Sequence, residues 1–257
     1  MKKIIKIKHS ILLVLLISMV GILAFSLESS DLNSINNIEI DGANYLSSKQ
    51  YLEIANLTNF NNDPNINISV IQDRLEKHPY IKNADVWQAE RGVIKIKLYE
   101  KKLEALLLTK TKQFLITDNA EIIPFYAATK NIDLPVIVNL KNANSITAFK
   151  SAGKYENLKK ALNIISASEL YDEELFSRIS EINFNEGNGI TLTISDLEFP
   201  IYMGEDSEIE KTIYLSKIIK HIKRNRLTEY IDYLDLRFTD LVYLGFDKNL
   251  VATEETI

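Results

Sequence analysis

Apolar and polar residues alternate on both sides of the dipeptide Arg91-Gly92. One face of the alternating stretch carries an apolar side chain at every second position: Ala84, Val86, Ile94, Ile96 and Leu98. This period of two predicts an antiparallel pair of strands with one face on a core and the other in water. Pro79 lacks a backbone N–H and disfavours helix in the residue before it, so a preceding helix must end near His78.

Upstream of this hairpin the pattern indicates two short helices. Ser47 with Gln50 three residues later has the spacing of a capping box, and Asn67 or Ser69 could cap the second helix. The predicted elements are a strand at 38–40, a helix from Ser47 to about Leu57, a helix at 70–77 and the two hairpin strands. The order β-α-α-β-β over residues 38–102 predicts two helices on one face of a three-stranded sheet.

From Glu104 onward the pattern predicts a second domain, at 103–246, that is mixed α/β with a largely antiparallel sheet. Its predicted strands are 105–108, 114–117, 121–124, 136–140, 179–184, 190–194, 199–203, 230–238 and 241–246. Its predicted helices are 155–167, a short one around Phe176, and 208–223. The fold class is therefore α+β, and the polar residues 247–257 are predicted to be a flexible tail.

The first 27 residues have the pattern of a membrane anchor. Four lysines in residues 1–9 precede an almost wholly apolar run at 10–27, about 27 Å long as a helix. We expect a single transmembrane helix at 10–27, with Leu12, Leu13, Val14, Leu15, Leu16 and Ile17 as membrane-anchor residues. The lysines place the N-terminal tail in the cytoplasm and the rest outside it, beyond a linker at 28–37. A cleaved signal peptide is the alternative, with Ala24-Phe25-Ser26 as its cleavage site.

Composition and charge exclude several classes of function but indicate no catalytic activity. The 257 residues carry a net charge of −5, contain no cysteine and include three histidines far apart in sequence. No basic excess points to nucleic acid, and we expect no metal or cofactor. His78 and His221 are predicted to be solvated or helix-capping, and no nucleophile, base and carboxylate set is found. The sequence therefore predicts a non-enzymatic binding module.

Five motifs in order resemble landmarks of the bacterial FtsQ/DivIB cell-division family. They are Ile38-x-Ile40-x-Gly42-x-x-Tyr45-Leu46-Ser47, Leu75-x-x-His78-Pro79-Tyr80-Ile81-Lys82-x-Ala84-x-Val86, Glu100-Lys101 with Glu104-Ala105, Leu134-Pro135, and Leu234-Asp235-Leu236-Arg237-Phe238. The resemblance implies a single-span anchor, a POTRA domain at 38–102 and the family's β domain after it. Leu103, Asn119-Ala120 and Thr239-Asp240-Leu241 depart from the family pattern, which has Pro at the first site and Gly at the other two.

The resemblance also implies a function without chemistry. Members recruit and regulate septal peptidoglycan synthesis through FtsB-like and FtsL-like proteins and other divisome proteins, while anchored in the inner membrane at the septum. A partner segment adds to the last strand of the β domain, which implies partner-binding residues here: Arg237, Phe238, Tyr243, Gly245 and Phe246. The alternative for Leu236, Phe238 and Leu244 is that they are simply core residues.

Two other functions stay open at this stage. One is a POTRA-bearing assembly or transport factor for exported proteins, although no series of ten-residue alternating strands follows. The other is an exported enzyme with a cleaved signal, which the missing catalytic set makes the weakest of the three.

Overall fold

The computed structural model describes residues 16–20, 35–59, 66–185, 189–238 and 241–246. Among these residues, no helix combines the length and the apolar character that a bilayer span requires. Residues 16–20 are helical, and the rest of the predicted anchor, the tail at 1–9, most of the linker and the tail at 247–257 lie outside the described residues.

Contacts divide the chain into two compact units. The first unit is 1–43, 47–78 and 83–99, and the second is 44–46, 79–82 and 100–257. The short segments 44–46 and 79–82 therefore group with the second unit, although they belong to the stretch in which the sequence predicts the first domain.

The first unit has the predicted β-α-α-β-β order. Its elements are β1 (Asn37–Asp41), α1 (Ser48–Ile54), α2 (Ile68–Glu76), β2 (Ile81–Glu90) and β3 (Val93–Glu100). The described sheet has the order β1-β3-β2, with β1 parallel to β3, and β2 joined to β3 through Arg91-Gly92. Ile94, Ile96 and Leu98 are buried, as the alternation predicts.

Helix α1 begins as predicted and ends early. The Ser47 hydroxyl accepts the Gln50 N–H at 3.3 Å, and the Gln50 side chain accepts the Ser47 N–H at 2.9 Å. The helix ends at Ile54 rather than near Leu57, because Asn56 has a left-handed backbone with φ of 54°. The Leu57 N–H then bonds back to the Leu52 carbonyl at 2.7 Å, which closes the helix end.

The prediction that His78 is solvated is wrong. His78 is buried, and its ring packs edge-on against the fully buried Tyr51 at a centroid distance of 4.9 Å. Pro79 ends the helical region as expected, but the fold turns the His78 ring inward, where the imidazole fills space beside the first helix.

The second unit contains ten strands and three α-helices within its described residues. They are β4 (Leu103–Leu108), β5 (Gln113–Thr117), β6 (Glu121–Pro124), β7 (Val136–Val138), β8 (Lys150–Ser151), α3 (Glu156–Tyr171), α4 (Glu173–Phe176), β9 (Ile179–Asn185), β10 (Gly189–Ile194), β11 (Ile201–Gly204), α5 (Glu208–Arg224), β12 (Ile231–Asp235) and β13 (Tyr243–Phe246). Helices α3 and α5 pack together, and their apolar residues share one core with the strands. The predicted mixed α/β architecture is confirmed.

The strands form one sheet with the order β13-β12-β11-β10-β9-β7-β4-β5-β6-β8. Three neighbouring pairs are parallel, β4 with β7, β7 with β9, and β11 with β12, and the other pairs are antiparallel. The largely antiparallel character is therefore as predicted. The order itself brings the C-terminal strand to one end of the sheet and the two-residue β8 to the other.

The bulge between β10 and β11 generates a test of this sheet. Gly204 opposes both Gly189 and Ile190, and a Cβ added to Gly189, where φ is +69°, would lie 2.5 Å from the Gly204 carbonyl oxygen. We expect Gly189→Ala to lower the free energy of unfolding by about 2 kcal/mol or more, measured by urea denaturation with circular dichroism.

Gly153→Ala is the matched control for this substitution. Gly153 lacks positive φ, and the nearest atom to its added Cβ is the Ser151 hydroxyl oxygen at 3.5 Å, an ordinary contact. We expect a change within about 0.5 kcal/mol. Equal effects of the two substitutions would contradict the close approach of β10 and β11.

Candidate functional site

The outer edge of β13 is the longest strand edge that the described sheet presents. β13 pairs on one side with β12, and no described strand pairs with its other side. The opposite edge is β8, which has only two residues. A strand edge offers backbone N–H and C=O groups that an added strand can pair, so β13 is the candidate interaction site.

The two closing strands, β12 and β13, are shorter than the predicted 230–238 and 241–246. β12 ends at Asp235 because the Asp235 carboxylate accepts the backbone N–H of Arg237 at 3.0 Å. This local bond is an Asx-type turn, which competes with strand pairing. Leu236 still donates its N–H to the Tyr202 carbonyl at 2.8 Å, so the chain leaves the sheet only after that residue.

Arg237 is held against the sheet by Asp235 and Tyr202. Its Nε and Nη2 atoms lie 3.0 Å and 2.6 Å from the two carboxylate oxygens of Asp235, a side-on bidentate pair. Its guanidinium carbon lies 5.3 Å from the centre of the Tyr202 ring. The hydrogen bonds from Arg237 lower the pKa of Asp235 below its ordinary value, although burial opposes that shift.

Two tyrosines and a glycine form a tightly packed row across β11, β12 and β13. Tyr202 and Tyr233 have ring centres 5.9 Å apart. Tyr202 is next to the buried Ile201 on β11, and Tyr233 is next to the buried Leu234 on β12. Because successive side chains of a strand point to opposite faces, both tyrosines lie on the face of the sheet away from the core. A Cβ added to Gly245 would lie 2.2 Å from a Tyr233 ring carbon, so only glycine allows this ring to cover β13.

Exposed aromatic residues flank the free edge. Phe238 is 51% exposed, Tyr243 48% and Phe246 45%, and the rings of Phe238 and Tyr243 meet edge-on at 5.1 Å. Leu236 is buried and Leu244 packs half-buried on the core, so the core alternative holds for these two leucines. It does not hold for Phe238.

A groove of about 280 Å³, lined by both charged and apolar residues, lies between the start of α5 and the chain around the closing strands. Its described lining is Asp206, Ser207, Glu210, Lys211, Tyr214, Leu236, Phe238, Leu241 and Val242. The groove shares Phe238 with the exposed aromatic group. A protein partner that pairs with β13 would therefore have a groove beside it, with an apolar wall at Leu236, Phe238, Leu241 and Val242, for a side chain.

The structure brings the five predicted partner-binding residues together on or next to the closing strands. Sequence reasoning missed Tyr202, Tyr233 and Tyr214, which no local motif marks, and the role of Asp235. A carboxylate two residues before an arginine is the signal that could have indicated the turn. Of the predicted anchor residues, Leu16 and Ile17 are helical and exposed, and Leu12, Leu13, Val14 and Leu15 lie outside the described residues.

Within the described ranges no three His, Asp or Glu residues are placed to hold a metal ion. The geometry provides backbone pairing, aromatic contact area and one positioned cation, which are the means of recognising a protein segment.

Family comparisons cover most of the chain. The family model for the C-terminal region of the cell division protein FtsQ/DivIB matches residues 105–237, and the model for the FtsQ-type POTRA domain matches residues 33–101. The first match ends at Arg237, so it does not include β13.

Individual proteins that are similar to this chain are also FtsQ or DivIB proteins. The cell division protein FtsQ of Geotalea daltonii is 19% identical over 208 residues, which are 81% of this chain and 74% of that protein. FtsQ of Geobacter sp. strain M21 is 22% identical over 80% of this chain and 73% of its own length. The solved extracytoplasmic domain of DivIB from Geobacillus stearothermophilus, in its trans isomer, is 13% identical with a TM-score of 0.32, over 49% of this chain and 98% of that one.

The Asp235–Arg237 pair generates a pH-dependent prediction. Asp235→Asn should lower the free energy of unfolding by about 2 kcal/mol at pH 7, because it weakens hydrogen bonds to a charged, buried carboxylate. A depressed folded-state pKa means that this contribution is complete above the unfolded pKa of about 3.9 and is lost as the pH falls through the folded pKa. The difference in unfolding free energy between the wild type and Asp235→Asn should stay constant from pH 7 to 5 and shrink below about pH 4.

Urea denaturation across this pH range measures the difference, and Asp232→Asn is the control. Asp232 lies on the same strand with an exposed side chain, so we expect a change within about 0.5 kcal/mol at pH 7. A constant difference down to pH 2 would rule out the carboxylate as its source.

The contact between Gly245 and Tyr233 predicts a strong coupling between the two positions. Gly245→Ala alone should destabilise the closing strands by about 1–3 kcal/mol, because the ring must move. In a Tyr233→Ala background the same change should cost little, giving an interaction energy of about 1 kcal/mol or more in a double-mutant cycle. Tyr214→Ala, an exposed tyrosine on α5, should leave the cost of Gly245→Ala unchanged. Additive effects of Gly245→Ala and Tyr233→Ala would argue against the contact.

Proposed function

This chain belongs to the FtsQ/DivIB family of cell division proteins, and from that premise we propose that it is a non-enzymatic, bitopic scaffold of the bacterial divisome. In this role it recruits and regulates septal peptidoglycan synthesis through an FtsB–FtsL-like complex. The single observation that carries the proposal is the open edge of β13 beside exposed aromatic residues.

The proposed binding mode is addition of one partner strand to β13. Main-chain hydrogen bonds would provide affinity, and side chains on either face would provide specificity. Phe238, Tyr243 and Phe246 are the proposed aromatic anchors, and the groove at α5 would receive an apolar side chain of the same partner. Gly245 contributes by its lack of a side chain, since it lets Tyr233 cover the inner part of the strand.

Arg237 is the proposed charged contact. Asp235 and Tyr202 fix the position of its guanidinium before any partner arrives, which lowers the entropic cost of using it in a complex. An acidic side chain of the partner is the matching group, and it would share the guanidinium with Asp235.

The proposed placement in the cell follows from the N-terminal sequence. The lysines before the apolar run at 10–27 favour a cytoplasmic N-terminus and a single pass through the inner membrane. The POTRA domain at 38–102 and the β domain at 103–246 would then lie outside the cytoplasm at the division septum.

Binding of the full-length chain in nanodiscs to the extracytoplasmic segment of the FtsB-like protein from the same organism tests the proposal. Phe246→Ala and Arg237→Ala should each cost about 2 kcal/mol, roughly a thirtyfold weaker Kd. A partner segment with backbone N-methyl groups at alternate residues should also bind more weakly, since it lacks the N–H donors that strand addition uses.

Tyr171→Ala is the matched control for the aromatic substitution, because Tyr171 is an exposed aromatic at the end of α3. It should leave Kd unchanged, and circular dichroism should show that all variants are folded. No binding by the folded wild type would refute the proposed partner and favour the assembly or transport role. Equal losses in the control would refute the β13 site.

A further inference from the structure

An open cleft of about 610 Å³ lies elsewhere on the second unit, where three parallel strands end. β4, β7 and β9 are parallel neighbours, and the cleft lies at their carboxyl ends, beyond Leu108, Val138 and the last residues of β9. In sheets with parallel strands, ligands bind preferentially in the crevice outside these ends. The volume lies in the range of small-molecule sites.

The side chains of the cleft have a distinct chemistry. Two lysines and four asparagines contribute to it: Lys110, Lys141, Asn139, Asn142, Asn144 and Asn185. Among the described residues that line the cleft none is acidic, although the whole chain has a net charge of −5. Each asparagine amide both donates and accepts hydrogen bonds, as a hydroxyl group does, whereas each lysine only donates.

Hydrogen bonds hold both walls of the cleft in place. The turn that carries Lys110 is closed by Thr109, whose hydroxyl donates to the Lys112 carbonyl at 2.8 Å and accepts its N–H at 2.9 Å. The opposite loop is closed by Ser145, which donates its N–H and its hydroxyl to the Asn142 carbonyl at 2.9 Å and 2.8 Å. Preformed walls reduce the ordering cost of binding.

The asparagine side chains are exposed at the cleft, and the backbones of two of them form its turns. Asn139 and Asn142 both have left-handed backbones, with φ of 58° and 60°, so they turn the chain immediately after β7. The Asn139 amide also donates to the Asn183 side chain at 3.0 Å, and Asn183 donates to Glu181 at 2.8 Å. This chain of bonds fixes the orientation of the Asn139 amide.

We propose that this cleft binds an acidic carbohydrate. The asparagine amides would pair with sugar hydroxyls, which donate and accept in the same way, and Lys110 and Lys141 would pair with carboxylate groups. Leu140 and Phe184 also border the cleft but are buried core residues, so the exposed polar side chains would make the contacts to the sugar. This site is separate from the β13 edge and does not depend on the proposed partner.

The test uses the full-length chain in nanodiscs and three probes, with Kd from titration followed by saturation-transfer NMR. The probes are trigalacturonate as the acidic carbohydrate, maltotriose as a neutral one of equal length, and citrate as an anion without sugar rings. We expect trigalacturonate to bind most tightly. Lys110→Ala/Lys141→Ala should weaken it at least tenfold and leave maltotriose unchanged, and Asn142→Gly/Asn144→Ala should weaken both sugars.

Lys112→Ala/Lys150→Ala is the control with the same change of charge. Both lysines are exposed, and neither lines the cleft, so this variant should bind as the wild type does. Citrate that binds as tightly as trigalacturonate, with no effect of the asparagine substitutions, would mean an anion site only and overturn the proposal. Absence of saturable sugar binding by the folded wild type would overturn it as well.

Discussion

Parallel pairing between β11 and β12 is the constraint on which the candidate partner site depends. A parallel pair needs a long crossover, and α5 supplies it by packing against α3 over the common core. The crossover delivers β12 to the outside of β11, so the hairpin that follows has only one side left on which to pair. The free edge of β13 is therefore a result of topology and is not produced by any residue of β13 itself.

Local interactions were largely predictable from the sequence, because their partners lie within a few residues. The capping box of Ser47 and Gln50 and the alternation of Ile94, Ile96 and Leu98 depend on spacing alone. The motifs also led to the family. Strand order was not predictable, since the pairings of β4 with β7 and of β7 with β9 join residues far apart in the chain.

The residues of the candidate site also fall into those that the sequence indicated and those that only the fold brings together. Phe238 and Arg237 could be named from a motif, whereas Tyr202 became relevant only when the sheet brought β11 beside β12. The burial of His78 was missed for a related reason, because it depends on Tyr51, which the chain reaches 27 residues earlier. The early end of β12 differs, since the Asp235 turn that causes it is local and could have been recognised from the sequence.

The two ends of the large sheet are unequal, and this bears on stoichiometry. β8 contributes only two residues and pairs with β6 at Glu121 and Ile122, so this end offers little backbone for another chain. β13 offers a four-residue edge. A strand added at β13 would extend the sheet at that end, whereas the short β8 leaves little room for a strand at the other. For each copy of the chain, strand addition to this sheet would therefore start from β13 and place one partner strand directly against it.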